Sequence, residues 1–220
     1  MLSYLPFVPP VNILGFEIPV STICSFLSVV FFVILTLMAG KKWNLNVYVL
    51  IFTLMLSFSL SNIVSRIIFI LSRIFLHQDL FYQNKIFYFY TNQKVSFGFL
   101  IGTILAVLIA NYVYNLKKDI GKYFDVFLFG YLSIFFTRVG GALIRYHPGK
   151  ITDSTWGTYH LGYYRHEPSL YEAISLFVIF IISIVIIRKK NKNPGFLALV
   201  ILALTSLSRV VTDFFRNKDL

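Results

Sequence analysis

Three arginines stand where a lipid-facing chain should not tolerate them. Arg66 lies in "SNIVSRIIFI", Arg138 in "FFTRVGGAL" and Arg209 in "SLSRVVTDFF", with Asp213 four residues on. One arginine near a helix centre costs about 2.5–3.5 kcal/mol on insertion scales, so three cost on the order of 8–10 kcal/mol, comparable with a whole protein's net stability. Such residues persist when they face a protein interior, a wet cavity or counterions. Arg209 and Asp213, at i and i+4, can pair on one helix face, and Arg66 can snorkel to a nearby membrane surface; for these two the plain structural reading stands level with a functional one. Arg138 has no acid within a turn, and Gly140 and Gly141 beside it admit a close neighbour or ligand. A planar guanidinium with five donors is a natural seat for a phosphate, and inside a membrane the obvious phosphate is an anionic lipid headgroup.

A second set of titratable groups is gathered at residues 147–172. His147, Lys150, Asp153, His160, Arg165, His166 and Glu167 precede Tyr171 and Glu172 in "YYRHEPSLYEA". Pro168 and Ser169 read as a helix start, which places Glu172 in the first turn, where the dipole favours an anion. No metal is expected, because His147, His160 and His166 match no His-x-x-x-His spacing. Gly-rich nucleotide loops, HExxH and GxSxG are absent from the sequence. The one cysteine, Cys24, excludes a disulfide framework and reads as a packing residue.

These residues need elements to hold them. The chain has 220 residues, 57% of them apolar and 13% charged, with mean hydropathy +0.75. A soluble domain carries about 25% charged residues, so a single soluble globule is excluded, as is a nucleic-acid-binding chain. The net charge of +11 belongs instead at membrane surfaces. Six stretches are long and apolar enough to span: 20–39, 47–71, 95–114, 124–144, 170–187 and 195–214. Period-2 alternation is absent, so the expected fold class is all-α, a polytopic integral membrane helical bundle of about six transmembrane helices. The first stretch reads as a retained span, since no cationic region precedes it and no small-x-small cleavage site follows it. Residues 1–19, with Pro6, Pro9, Pro10 and Pro19, read as an irregular or interfacial lead-in.

Lysine and arginine are dense in the short loops: Lys41 and Lys42; Lys117, Lys118 and Lys122; then Arg188, Lys189, Lys190 and Lys192. The positive-inside rule puts those loops in the cytoplasm, which leaves both termini and the long loops 72–94 and 145–169 outside. Trp43, Trp156 and the tyrosines Tyr82, Tyr88, Tyr90, Tyr146, Tyr159, Tyr163 and Tyr164 fit interfacial belts. Residues 1–220 read as a single membrane domain. A small transporter or channel component is disfavoured, since neither broken half-helices nor a repeat is evident.

Five tags carry a resemblance: "SFGFLIG", "FTRVGGALI", "TDSTWG", "RHEPSLYE" and "RVVTDFFRNKD". In this order they resemble the S-F-H-G-G-L-I-G, G-R-I-G-N-F-I-N-x-E, T-D-x-P-W-G, R-H-P-S-Q-L-Y-E and R-F-x-x-E-F-F-R-x-P-D tags of the prolipoprotein diacylglyceryl transferases. Ser65–Arg66 weakly echoes the family's G-A-R. The resemblance is to a divergent, C-terminally short member, because that family continues into a further membrane helix past the last tag.

The resemblance implies a reaction in the bacterial cytoplasmic membrane. The diacylglyceryl group of phosphatidylglycerol passes to the lipobox cysteine of a pre-lipoprotein, glycerol phosphate leaves, and no cofactor is needed. By motif position, Arg138, Arg209, Gly140 and Arg165 would bind the phospholipid. His166, Tyr171 and Glu172 would be catalytic, with Arg66, Asp213 and Arg216 in support; Asp219 also keeps its place. Several positions differ: Phe97 replaces the family histidine, Gly141 its asparagine, and Asp213 its glutamate. Those differences leave open an alternative, a catalytically altered paralogue that binds or handles anionic phospholipid without modifying a cysteine.

Overall fold

A computed structural model describes residues 9–13, 16–75, 96–116, 118–144, 149–154, 157–160, 162–188 and 193–216. Its helices are α1 (Val20–Lys42), α2 (Val47–Phe75), α3 (Ser96–Tyr114), α4 (Ile120–Tyr131), α5 (Ile134–Leu143), α6 (Pro168–Arg188) and α7 (Phe196–Phe214). Two short antiparallel hairpins join them, β1 (Val11–Ile13) with β2 (Phe16–Ile18) and β3 (Thr158–His160) with β4 (Tyr163–Arg165). Among the described residues, five helical stretches are long and apolar enough to cross a membrane, and α3 contains a shorter apolar helix. The protein is an all-α polytopic membrane protein, with spans close to the expected bounds.

Three expectations need correction. Residues 11–13 and 16–18 of the lead-in pair as a hairpin. The fourth span is not one helix: it breaks at Leu132–Ser133 into α4 and α5. There the amides of Leu132, Ser133, Phe135 and Phe136 bond three residues back, to Phe129, Gly130, Leu132 and Ser133. The apolar run "FLFGYLSIFF" hides this change, because every residue in it suits a membrane interior. Glu172 is not in the first turn of α6, which starts at Pro168; it lies just beyond that turn. Of the expected loop 72–94, residues 72–75 belong to α2 and 76–94 lie outside the described residues. So do Tyr82, Tyr88, Tyr90, Tyr146, His147, Trp156 and Asp219.

The described residues form two compact units, 36–128 and 1–35 with 129–220. In the first, Asn46 caps α2 by accepting the Tyr48 amide at 2.9 Å. Helices α2 and α3 then pack through small residues. A Cβ at Gly102 would stand 2.5 Å from the Ser61 Cα, so only glycine permits this approach. Ser61 also donates to the Phe99 carbonyl at 3.2 Å. Asp125, buried in α4, is a membrane-span acid that the sequence reading passed over.

The other unit packs α5 on α6 and α6 on α7. Phe31 packs against Phe136 and Phe135 against Phe177 with tilted rings, their centroids 4.5 and 5.7 Å apart. A Cβ at Gly140 would come within 2.7 Å of the Cys24 Cβ and 3.2 Å of the Ser21 Cα. The close approach expected at this glycine is therefore made by α1, and Cys24 fills the space as a packing residue. Gly195, at φ +89°, takes the left-handed turn that starts α7.

Candidate functional site

Glu172 is the centre of the site. Its position on α6 lets its carboxylate meet three guanidiniums from elsewhere in the chain. Oε2 lies 2.8 Å from Arg138 Nε of α5, and Oε1 lies 2.5 Å from Arg209 Nη1 and 2.9 Å from Arg216 Nη2. The acid that sequence proximity withheld from Arg138 thus arrives from a different helix. Asp213 adds a second carboxylate, with Oδ1 3.5 Å from both Arg209 Nε and Arg216 Nη1. The expected Arg209–Asp213 pair is therefore present, within a larger network.

Burial divides the two acids. The Glu172 side chain is 7% exposed, whereas Asp213 is 47% and Arg209 41% exposed. Glu172 is thus the enclosed acid of the cluster and Asp213 the exposed one. Arg216 Nε is a buried donor without an acceptor among the described residues. A buried donor left unsatisfied is costly, and an anionic oxygen would relieve it.

A short strand arrangement sets the last arginine in place. The Gly149 amide donates to the His166 carbonyl, the Lys150 amide to the Phe215 carbonyl, and the His166 amide to the Lys150 carbonyl, each at 2.9 Å. Residues 149–150 thereby tie the end of α7 to the end of β4. A Cβ at Gly149 would stand 2.5 Å from the His166 carbonyl oxygen and 2.6 Å from that of Phe215. Nothing local in "YHPGKI" announces this arrangement, and the sequence reading missed both Gly149 and Phe215.

Arg165 serves the same arrangement. It is buried, and its Nη1 donates to the Gly149 carbonyl at 3.3 Å. Its guanidinium lies 5.8 Å from the Tyr163 ring centroid. Among the described residues it makes no ion pair within the Glu172 network. Arg66 is half-buried on α2, in the other unit.

One residue before Glu172 in the sequence, Tyr171 meets His166. His166 Nδ1 and the Tyr171 hydroxyl are 3.0 Å apart; Tyr171 donates when the ring proton is on Nε2. Phe215 packs on both rings, at centroid distances of 4.8 and 5.5 Å. Partial burial and then the Lys150 cation push the His166 pKa below its ordinary value. A neutral imidazole beside a hydroxyl is equipped to accept a proton near neutral pH.

Fold and site together define a polytopic membrane protein whose helices gather an arginine–carboxylate cluster around the buried Glu172, in the same unit as a histidine–tyrosine pair. Residues 10–220 match the prolipoprotein diacylglyceryl transferase family, and the chain belongs to that family. A phosphatidylglycerol–prolipoprotein diacylglyceryl transferase of Campylobacter lari is 35% identical over 125 residues, 54% of this chain and 45% of that protein. The enzyme of the same name from Aliarcobacter butzleri is 32% identical over 123 residues, 54% of this chain and 44% of its own length. The chain thus spans less than half the length of these relatives in the matched region.

Proposed function

We propose that the protein transfers the diacylglyceryl group of phosphatidylglycerol to the thiol of a pre-lipoprotein lipobox cysteine, within the bacterial cytoplasmic membrane. The observation that carries this reading is the convergence of Arg138, Arg209 and Arg216 on Glu172. It supports a seat for the lipid phosphate beside His166 and Tyr171. The thiol gives its proton to His166, with Tyr171 orienting the ring, because the thiolate is the competent nucleophile. The sulfur–carbon bond forms as the glyceryl carbon–oxygen bond breaks, and the electron pair leaves on the phosphate oxygen of glycerol phosphate. The arginines stabilise the charge that develops there. Gly140 admits α1 against the helix that carries Arg138, and Arg165 holds the 149–150 segment. Both termini and loops 72–94 and 145–169 lie outside the cytoplasm in this reading, and both compact units belong to one membrane domain.

The test uses purified protein in micelles with phosphatidylglycerol and a synthetic lipobox peptide. Glycerol phosphate release that depends on the peptide cysteine supports the transferase. The second reading, a paralogue that handles anionic lipid without cysteine modification, is favoured by Phe97 at the family's histidine position. Lipid binding lost in Arg138→Ala, with no release in the wild type, would establish it.

A further inference from the structure

The charge of the arginine cluster is set by its second carboxylate. Three guanidiniums against Glu172 alone would carry two net positive charges; with Asp213 the cluster carries one. Glu172 joins the helices at 2.5 to 2.9 Å and is nearly enclosed. Asp213 stands off at 3.5 Å from Arg209 and Arg216, on the exposed side, and its inward Oδ1 makes no hydrogen bond. It therefore contributes more field than structural linkage.

We propose that Asp213 is a specificity-determining residue that tunes the site to a singly charged phosphodiester and against a doubly charged phosphomonoester. The inference rests on the phosphate seat proposed above and extends it to product release. In the transfer, the thiolate charge and the single charge of the diester end together on glycerol phosphate, a dianion above its second pKa of about 6. One net positive charge is neutralised by the substrate and exceeded by the product. A site left with uncompensated charge in a partly desolvated pocket holds its ligand less well. Asp213 so makes the substrate the better-matched anion and the product the poorer one.

Tyr131 is the further titratable side chain that interacts electrostatically with Arg138, Glu172 and Arg209, and the test is run at a single pH of about 8, where the product is a dianion. The probes are glycerophosphoglycerol, a tail-free monoanionic diester, and glycerol phosphate. Their binding to the protein in neutral detergent is followed by phosphorus NMR titration. Asp213→Asn is expected to shift the ratio of the two dissociation constants about fivefold in favour of glycerol phosphate, the effect of one charge at close range in a half-exposed setting. Asp213→Glu, which keeps the charge, should restore the wild-type ratio. An unchanged ratio, or equal weakening of both probes by Asp213→Asn, would overturn the inference while leaving the phosphate seat standing. Failure of either probe to bind, with Arg138→Ala indistinguishable from wild type, would overturn the seat itself.

Discussion

Arg138 Nε stands 2.8 Å from Glu172 Oε2, and that one contact ties the broken fourth span to α6. Because Glu172 also faces Arg209 and Arg216, removing its charge leaves three guanidiniums with Asp213, 3.5 Å from two of them, as the remaining carboxylate of the cluster. Glu172→Gln is expected to destabilise the protein by about 3–5 kcal/mol, the usual consequence of breaking a buried ion pair from one side. Thermal unfolding in detergent, compared with the wild type, measures it.

Arg138→Ala should lower transfer by at least about 10²-fold, the scale for removing a preorganised donor from a developing anion. Arg138→Lys should not rescue it, since a point ammonium cannot hold Glu172 through Nε and still offer a fork to a phosphate. The initial rate of glycerol phosphate release is the readout. Full activity in either variant would remove Arg138 from the site.

His166 gives the expected pH behaviour. Its pKa lies below the ordinary value of 6.5, through burial and then Lys150. Transfer should therefore persist below the pH at which an ordinary histidine protonates, and fall as pH drops through the lowered value. Lys150→Gln removes one cause and should move that acid limb to higher pH. The same shift makes the unfolded chain bind the proton first, so stability held above 6.5 is lost as pH falls towards the lowered value. A pH–rate profile and a pH series of unfolding midpoints check the two signs.

Tyr171→Phe keeps the ring against Phe215 and removes only the hydroxyl that meets His166. A tenfold or greater loss in rate, with little change in unfolding temperature, is expected if the pair moves a proton, on the general acid–base scale of about 10²–10⁴. Equal rates would leave His166 acting alone.

Gly149→Ala places a methyl between two carbonyl oxygens, those of His166 and Phe215. The strand contact should open, at about 1–3 kcal/mol by analogy with overpacking. Arg216 should then lose its hold on Glu172. Hydrogen exchange at the Lys150 and His166 amides, which now bond the Phe215 and Lys150 carbonyls, reports the opening directly.

Much of this was legible in the sequence, and the rest was hidden for physical reasons. Apolar length alone located the spans, because a bilayer demands it. Arg209 and Asp213 were paired correctly, since i, i+4 spacing on a helix is a local fact. Arg138 drew notice because it had no local acid, yet its partner comes from a helix remote in sequence, and no spacing rule reaches that far. The family tags brought Glu172, His166 and Tyr171 forward, but the cradle of Gly149 and Phe215 exists only as backbone hydrogen bonds between remote segments. The break at Leu132–Ser133 escaped because lipid-compatible residues disguise a change of helical pitch.

That break also fixes a depth. The fourth span runs from Ile120 to Leu143, and the break falls near its middle. Arg138 follows Ser133 by little more than a turn, a rise of about 8 Å, whereas half a hydrocarbon core is about 15 Å. With the middle of that span placed at the bilayer centre, the guanidinium would lie several ångströms beneath the headgroup plane. Under the proposed reaction, a phospholipid whose phosphate reaches it would sink below its neighbours, and an acceptor cysteine would descend to meet it. The vertical displacement of those two proposed substrates, each drawn from its resting level, would then be part of what the protein's shape imposes on the membrane around it.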